Sequence, residues 1–274
     1  MAEKKQKDAV PAKVEETSTA MAAYQGLEEF AGQGFQNQTN EDIAIPFINV
    51  LQPNSPEVQQ DGIEGAKAGM LFNSVTQELH NVITFVPALT QHVYVEWRPR
   101  TEGGGIVATH PIHSEVVKHA KSKSTEFGKY KTEMGNDLVE TFYVFGILCD
   151  GDVPTGMAVM AFTSTKIKAY KAIMGRLNAF QLALPDGRRI NPPLFAHTLM
   201  ITTKGEKNNK GSFYVPIVQA AVENDVQKSL LTPTDPRFKM AAECQRLVDS
   251  GKAKADTAGQ EPRHAADEDA DEVF

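Results

Sequence analysis

The chain has 274 residues, an apolar fraction of 41% and a net charge of −7, which admits one large globular domain or two small ones. No apolar run approaches the ~20 residues that span a bilayer, and the polar, charged stretch Met1–Thr19 does not read as a secretory signal peptide. Two cysteines, Cys149 and Cys244, cannot make a disulfide framework, so a reducing cytoplasm is the expected compartment and no membrane partner is expected.

In chain order, residues 1–40 are rich in Lys, Glu, Gln, Ala and Thr with little apolar periodicity and read as a disordered segment, apart from a short helix over Met21–Phe30. From Asp42 the pattern changes. Ile43, Ile45 and Phe47 alternate, and Pro46, Pro53 and Pro56 forbid a long helix. Leu71–Val75 and Val82–Ala88 read as a hairpin across Thr76–Asn81, and Val93–Arg98 alternates again. Glu140–Leu148 is apolar on both faces and predicts a central strand. Asp150-Gly151-Asp152 is a turn, and Met157–Phe162 returns as its partner. A helix starts near Ser164 or Thr165 as N-cap and carries Ile167, Tyr170, Ile173, Met174, Leu177, Phe180 and Leu184 on one arc, with Lys168, Lys171 and Arg176 opposite. His197–Thr203 and Ser212–Val218 form a hairpin across a polar loop, and a further helix covers about Pro236 to Val248. Residues 251–274 lack a core-forming pattern and read as a flexible acidic tail.

This order predicts a mainly β protein: an elaborated OB-fold-like barrel over residues 41–250 with one inserted helix, flanked by disordered ends. The alternating pattern of a doubly wound α/β sheet is absent. The charge follows the same division. Residues 1–64 hold 4 Lys/Arg against 11 Asp/Glu, residues 65–250 hold 21 against 17, and residues 251–274 hold 3 against 7. A basic body between acidic ends fits a polyanion binder with a competing acidic segment; two solvated ends on a near-neutral domain fit equally well.

No enzyme motif is present: neither a GxxxxGK[ST] phosphate loop nor a GxSxG elbow occurs, and Gly103-Gly104-Gly105 reads as a flexible loop. His110, His113 and His119, with Cys149, lack the paired close spacing of a zinc site, so neither metal nor cofactor is expected. What recurs is cations beside aromatics, the combination that holds single-stranded nucleic acid by tracking phosphates and stacking unpaired bases. Four segments carry it: Tyr94 to Arg100, Phe127 to Lys131, Lys166 to Arg176 around Tyr170, and Lys204 to Gly211 followed by Phe213-Tyr214. The candidate DNA-contacting residues are Tyr94, Trp97, Arg98, Arg100, Lys129, Tyr130, Lys131, Lys168, Lys171, Arg176, Lys204, Lys207, Lys210 and Tyr214. Trp97 shares strand parity with Val93 and Val95, so core and contact roles are both open, whereas Tyr94 and Arg98 share the other face. Tyr170 reads as core. Tyr130 sits in a polar excursion, Ser114 to Asn136, where nothing would bury it. Phe213 alternates with Val215 and Ile217 and should be buried, with Tyr214 facing away.

The C-terminal run Asp267-Glu268-Asp269-Ala270-Asp271-Glu272-Val273-Phe274 is acidic and ends in an aromatic. It resembles the tails of the single-stranded DNA-binding proteins of tailed bacteriophages, as do, more loosely, the order of elements and the segments Ile45-Pro46-Phe47 and Trp97 to Gly105. That resemblance implies an OB-fold core and a role in phage replication and recombination in the cytoplasm of an infected bacterial host. It also implies that Asp267, Glu268, Asp269, Asp271, Glu272 and Phe274 dock partners such as the phage DNA polymerase and primase–helicase while competing with DNA for the basic groove. A homo-oligomer is compatible with it. The alternatives are a recombination mediator or annealing protein, or a structural adaptor that does not bind nucleic acid.

Overall fold

The computed structural model describes residues 45–59, 62–209, 211–255 and Gln260, together with Gly26, Glu29, Gln33 and Gly34. The chain divides into two units, Met1–Thr39 and Asn40–Phe274. In the first, Glu29 N donates to Gly26 O at 3.3 Å and Gln33 Nε2 to Glu29 O at 3.2 Å; the rest of the helix expected over Met21–Phe30 lies outside the described residues.

The second unit is built from β1 (Ile48–Val50), β2 (Leu71–Asn73), β3 (Leu79–His80), β4 (Ile83–Trp97), β5 (Ile106–Pro111), α1 (Glu115–Lys123), β6 (Tyr130–Lys131), β7 (Asp137–Asp150), β8 (Val153–Thr163), α2 (Ile167–Ala179), β9 (Leu182–Ala183), β10 (Arg189–Ile190), β11 (Leu199–Asn208), β12 (Gly211–Ala220) and α3 (Pro236–Asp249). The protein is mainly β, as its alternation predicts. Seven strands make one antiparallel sheet in the order β12-β11-β4-β7-β6, with β5 added to β4 and β8 to β7; β1-β2-β3 and β9-β10 form two small sheets. The pairings among the described strands do not close this large sheet into a barrel. The hairpin partner of β2 is the short β3 rather than Val82–Ala88, which instead opens the long β4.

β7 is central, flanked by β4 along its length and by β8, as its two apolar faces require. Its side chains alternate. Val139, Tyr143, Phe145 and Ile147 enter one core, covered by Ala241, Cys244 and Val248 of α3. Leu138, Phe142 and Val144 face the other way. There, β1, β2 and α2 cover the middle of the sheet, and α1 covers its far end through Val117 and Ala120.

Each helix start has a local cause. Ser114 Oγ accepts from Val117 N at 3.4 Å at the head of α1, and Lys121 and Lys123 sit in its last turn, where cations favour the helix dipole. Asp235 caps α3 by accepting from Arg237 N at 2.8 Å, with Pro236 in the first turn. α2 starts later than expected. Ser164 is not its N-cap but opens a 3-10 turn, Ser164–Lys166, with a left-handed φ of 46°. The helix also stops early, at Ala179, because Phe180 turns to extended backbone; Leu182–Ala183 then pairs with Arg189–Ile190 around the Pro185-Asp186-Gly187 turn. The excursion Ser114 to Asn136, expected to be irregular, holds α1 and β6. Beyond α3 the chain keeps packing: Ala253 is buried, Ala255 bridges to Ile45, and Gln260 is buried with its Oε1 accepting from Tyr143 OH at 2.6 Å, so packing extends past the expected start of the tail at residue 251.

A buried carboxylate ties the far end of the sheet together. Glu96 of β4 meets His110 Nε2 of β5 at 2.7 Å and accepts from Asn136 Nδ2, ahead of β7, at 2.6 Å. Burial alone would raise its pKa, but the hydrogen bonds from Asn136 and His110 and the attraction of His110 outweigh it and hold the carboxyl below its ordinary 4.5. A depressed folded-state pKa gives stability that is complete above the unfolded value and is lost as pH falls through the folded one. Thermal unfolding followed from pH 6 down to pH 3 should therefore show wild type losing stability below 4.5 more steeply than Glu96→Gln. Parallel slopes would show that Glu96 has no such role.

Candidate functional site

A cavity of about 490 Å³ opens where α1, the loop after it, β6 and the start of α2 meet. β4 contributes Tyr94, β6 Tyr130, the last turn of α1 Lys121, the loop Phe127, and α2 Lys168 and Lys171. The two tyrosine rings meet edge to face, centroids 6.0 Å apart at 66°, and Lys121 Nζ lies 4.5 Å from the Tyr94 centroid and 5.8 Å from that of Tyr130. A cation over such faces is attracted by the ring quadrupole. The aromatic row continues from Tyr94 to His92 at 6.3 Å, then through stacked pairs to Phe142 at 4.1 Å and Tyr170 at 4.5 Å. Glu140 is the one carboxylate among the described lining residues, and its Oε1 is 2.8 Å from His92 Nε2. Lys121, Lys168 and Lys171 are exposed, and none of them has an ion-pair partner among the described residues.

Three of the four cation–aromatic segments thus converge on one cavity although they lie up to 77 positions apart in the chain, from Tyr94 to Lys171. The individual residues sort differently from the sequence expectation. Tyr94 is only 3% exposed: the face assigned to base contact is covered by α1, and the ring packs with Val117, Ala120 and Leu138 while bordering the cavity. Tyr130 is half-buried against that cluster, not free in a polar excursion. Trp97 is 8% exposed and belongs to the core beside Val95. Arg98 is exposed at the far end of β4, its N–H donating to Gly105 O at 2.9 Å; Gly103, Gly104 and Gly105 all take positive φ, which glycine adopts without strain. The Arg100 side chain lies outside the described residues.

Lys129 and Lys131 flank Tyr130 but pair with Glu126 at 2.8 Å and Asp137 at 3.1 Å. Such exposed pairs are worth about 0–1 kcal/mol and open readily for a phosphate. Arg176 serves elsewhere. Its guanidinium donates to Asn224 Oδ1 at 2.6 Å and to Asn224 O, fastening the loop after β12 to α2 away from the cavity. The segment Lys204 to Gly211, expected as a polar loop, is strand as far as Asn208. Strand side chains alternate, so Lys204 and Lys207, three apart, point to opposite faces. Lys204 pairs with Glu206 at 2.6 Å, and Lys210 lies outside the described residues. Tyr214 is half-buried against Gly69, where an added Cβ would come within 2.6 Å of its ring, and buried Gln52 clamps its backbone at 2.8 and 3.0 Å. It is a packing residue. The tail Asp267 to Phe274 also lies outside the described residues.

Lys121 and Phe127 were not among the candidates. Lys121 becomes legible only once Ser114 to Lys123 is seen as a helix, and Phe127, 75% exposed, stands beside the Lys129–Lys131 run in the sequence. The histidines have other partners: His110 meets Glu96, and His119 Nε2 lies 3.4 Å from Glu133. Among the described residues no group of three or more His, Cys, Asp or Glu could hold a metal ion, and no helix is long and apolar enough to cross a membrane.

No curated protein and no solved structure matches the chain. A phage protein family does: its description is Pam3 phage gp34-like protein, and the match runs over residues 14–254. That span takes in every strand and helix described above, and the chain accordingly belongs to the Pam3 phage gp34-like protein family.

Proposed function

We propose that this phage protein binds single-stranded DNA through the cavity between α1 and α2, without a catalytic step, during phage replication and recombination. The observation that carries the reading is the convergence of Lys121, Lys168 and Lys171 with Tyr94, Tyr130 and Phe127 on one concave surface. Ammonium groups on an exposed rim can follow phosphates, and a half-buried ring with an exposed one beside it offers faces to unpaired bases. A duplex keeps its bases stacked inside and cannot use those faces. The test is fluorescence anisotropy of the full chain with labelled single-stranded and duplex oligonucleotides over a salt series. Single strands should bind preferentially, with affinity falling steeply as salt rises. Equal affinity for both forms, or a flat salt dependence, defeats the reading.

The acidic tail fits the same scheme as a competitor and a docking element for the phage polymerase or primase–helicase. Residues 261–274 follow the anchored Gln260, and fourteen residues reach roughly 45–50 Å at full extension. A tethered polyanion has a high effective concentration at basic surfaces within that reach. Deleting residues 267–274 should therefore raise single-strand affinity several-fold at low salt and much less at high salt, where charges are screened. The same deletion should abolish pull-down of the replication partner, and Phe274→Ala alone should reproduce most of that loss. Unchanged DNA affinity together with retained partner binding would leave the tail a solubilising segment.

A further inference from the structure

The strip of sheet between α1 and α2 forms the floor of the cavity, and Glu140 stands in it. On β7, Leu138, Glu140 and Phe142 share a face, because strand side chains alternate. Leu138 packs under α1 and Phe142 under α2, where its ring stacks on Tyr170 at 4.5 Å. Glu140 lies between them and directly across from Tyr94 of β4, so the two side chains share the floor. The Glu140 side chain is 35% exposed. His92 holds it in place: the imidazole stacks on Phe142 at 4.1 Å, and its Nε2 lies 2.8 Å from Glu140 Oε1. Among the described residues Glu140 Oε2 has no partner.

A carboxylate in this position opposes the charge of the rim. Lys121, Lys168 and Lys171 are exposed, and a polyanion held by them meets a like charge if one of its phosphates goes deeper. A base carries no charge and meets no such repulsion. The cavity is therefore polarised, with cations outside and a hydrogen-bond acceptor at the bottom, and it orients a nucleotide with its phosphate outward and its base inward. A volume of about 490 Å³ falls in the range of pockets that enclose a small ligand, so a base can enter it rather than rest on the surface.

We infer that Glu140 is a specificity-determining residue: it accepts a hydrogen bond from the exocyclic amino group of an inserted base, so that the site favours cytosine over thymine or uracil. A carboxylate offers acceptors only. Cytosine N4 donates to it, the pairing that glutamate and aspartate make with this base. Uracil and thymine present a carbonyl oxygen at the same position, acceptor against acceptor, and their one donor on that edge, N3–H, lies between two such oxygens. Adenine carries an amino group on the same edge and falls in the favoured class. This inference rests on the cavity being the single-strand site and adds that it discriminates among bases.

The experiment measures fluorescence anisotropy of the full chain with three labelled strands of equal length: an oligodeoxycytidylate, an oligodeoxyuridylate, and an oligodeoxycytidylate dimethylated at N4. Cytosine and uracil have rings of the same size and neither carries a methyl group, so the comparison separates the hydrogen-bonding edge from stacking. The cytidylate should bind about tenfold more tightly than the uridylate, the worth of one hydrogen bond to a charged group, and dimethylation should bring it down to the uridylate level or below. Glu140→Gln keeps the size of the side chain, but its amide also donates, so the ratio should fall to near one, mainly through tighter binding of the uridylate. Equal affinity of the wild-type protein for cytidylate and uridylate would overturn the inference while leaving single-strand binding intact. So would a cytidylate preference that survives Glu140→Gln, which is the result expected if Glu140 only anchors His92. Should that variant fold poorly, a dimethylated strand that binds the wild-type protein as tightly as the unmodified one would overturn the inference on its own. If no strand binds, the single-strand reading falls and this inference falls with it.

Discussion

Replacing Lys121, Lys168 and Lys171 together with glutamine should lower single-strand affinity about 100-fold near 0.1 M salt. Each phosphate neutralised on a single strand contributes roughly 0.7 to the slope of log affinity against log salt, so three contacts are worth about two decades at that ionic strength. The slope itself should become shallower by about two. The fold should survive, because all three side chains are exposed and, among the described residues, only Lys121 makes a contact of note, with the Tyr94 and Tyr130 rings. Losing that cation–π contact costs about 0.5–1 kcal/mol, too little to unfold a domain of this size. A matched control neutralises Lys204 and Lys207. These point to opposite faces of β11, so they cannot grip one backbone together, and their loss should cost far less. If the hairpin variant lost as much affinity as the cavity variant, the binding surface would lie on the hairpin.

The strands were legible where two faces are both buried or cleanly alternate. Glu140–Leu148 announced β7 because apolar residues fall on both sides, and Val93 and Val95 marked one face of β4, on which parity alone left Trp97 open between core and contact. The other face of β4 was not legible. Tyr94 looks exposed in sequence because its cover, α1, is a polar nonapeptide that offers only Val117 and Ala120 to the core. A helix that buries two small residues leaves almost no periodic signal. Without α1 the excursion seemed featureless, Tyr130 seemed free, and Lys121 could not be assigned to a site.

Closure of the sheet was illegible for a different reason. Alternation sets which residues share a face, but strand order depends on which edges are used twice. β4 spends one edge on β11 at Ile83–Phe85 and on β5 at Val93–Trp97, and the fifteen-residue strand that permits this reads in sequence as two short ones, Val82–Ala88 and Val93–Arg98. The register shift between Pro87 and Leu89 absorbs the proline. The hairpin lysines were misplaced too. The Gly- and Asn-rich segment around Lys204, Lys207 and Lys210 suggested a loop whose cations could follow a backbone, but it is strand as far as Asn208, which fixes Lys204 and Lys207 on opposite faces.

Tyr94 and Tyr130 touch each other, yet they should fail in different ways when truncated. Tyr94 is 3% exposed and packs beneath α1, so Tyr94→Ala leaves a cavity under that helix and should cost about 3–5 kcal/mol of stability, the range for deleting a large buried aromatic ring. That is a large share of the ~5–15 kcal/mol that holds a typical domain together. Tyr130 is half-buried on a two-residue strand with one face toward the cavity, so Tyr130→Ala should cost the fold far less. If Tyr130 stacks a base, the same change should cost about 1–3 kcal/mol of single-strand affinity, or roughly five- to 150-fold. Urea denaturation and anisotropy on both variants separate the two roles. Tyr94→Ala should shift the unfolding midpoint strongly, and Tyr94→Phe, which keeps the ring, should restore most of it. Tyr130→Ala should move the binding curve with a small change in the midpoint. A Tyr94→Ala protein as stable as wild type would mean that α1 does not hold that face of the sheet. A Tyr130→Ala protein that binds like wild type would take base stacking out of the cavity and leave its lysines as an electrostatic surface alone.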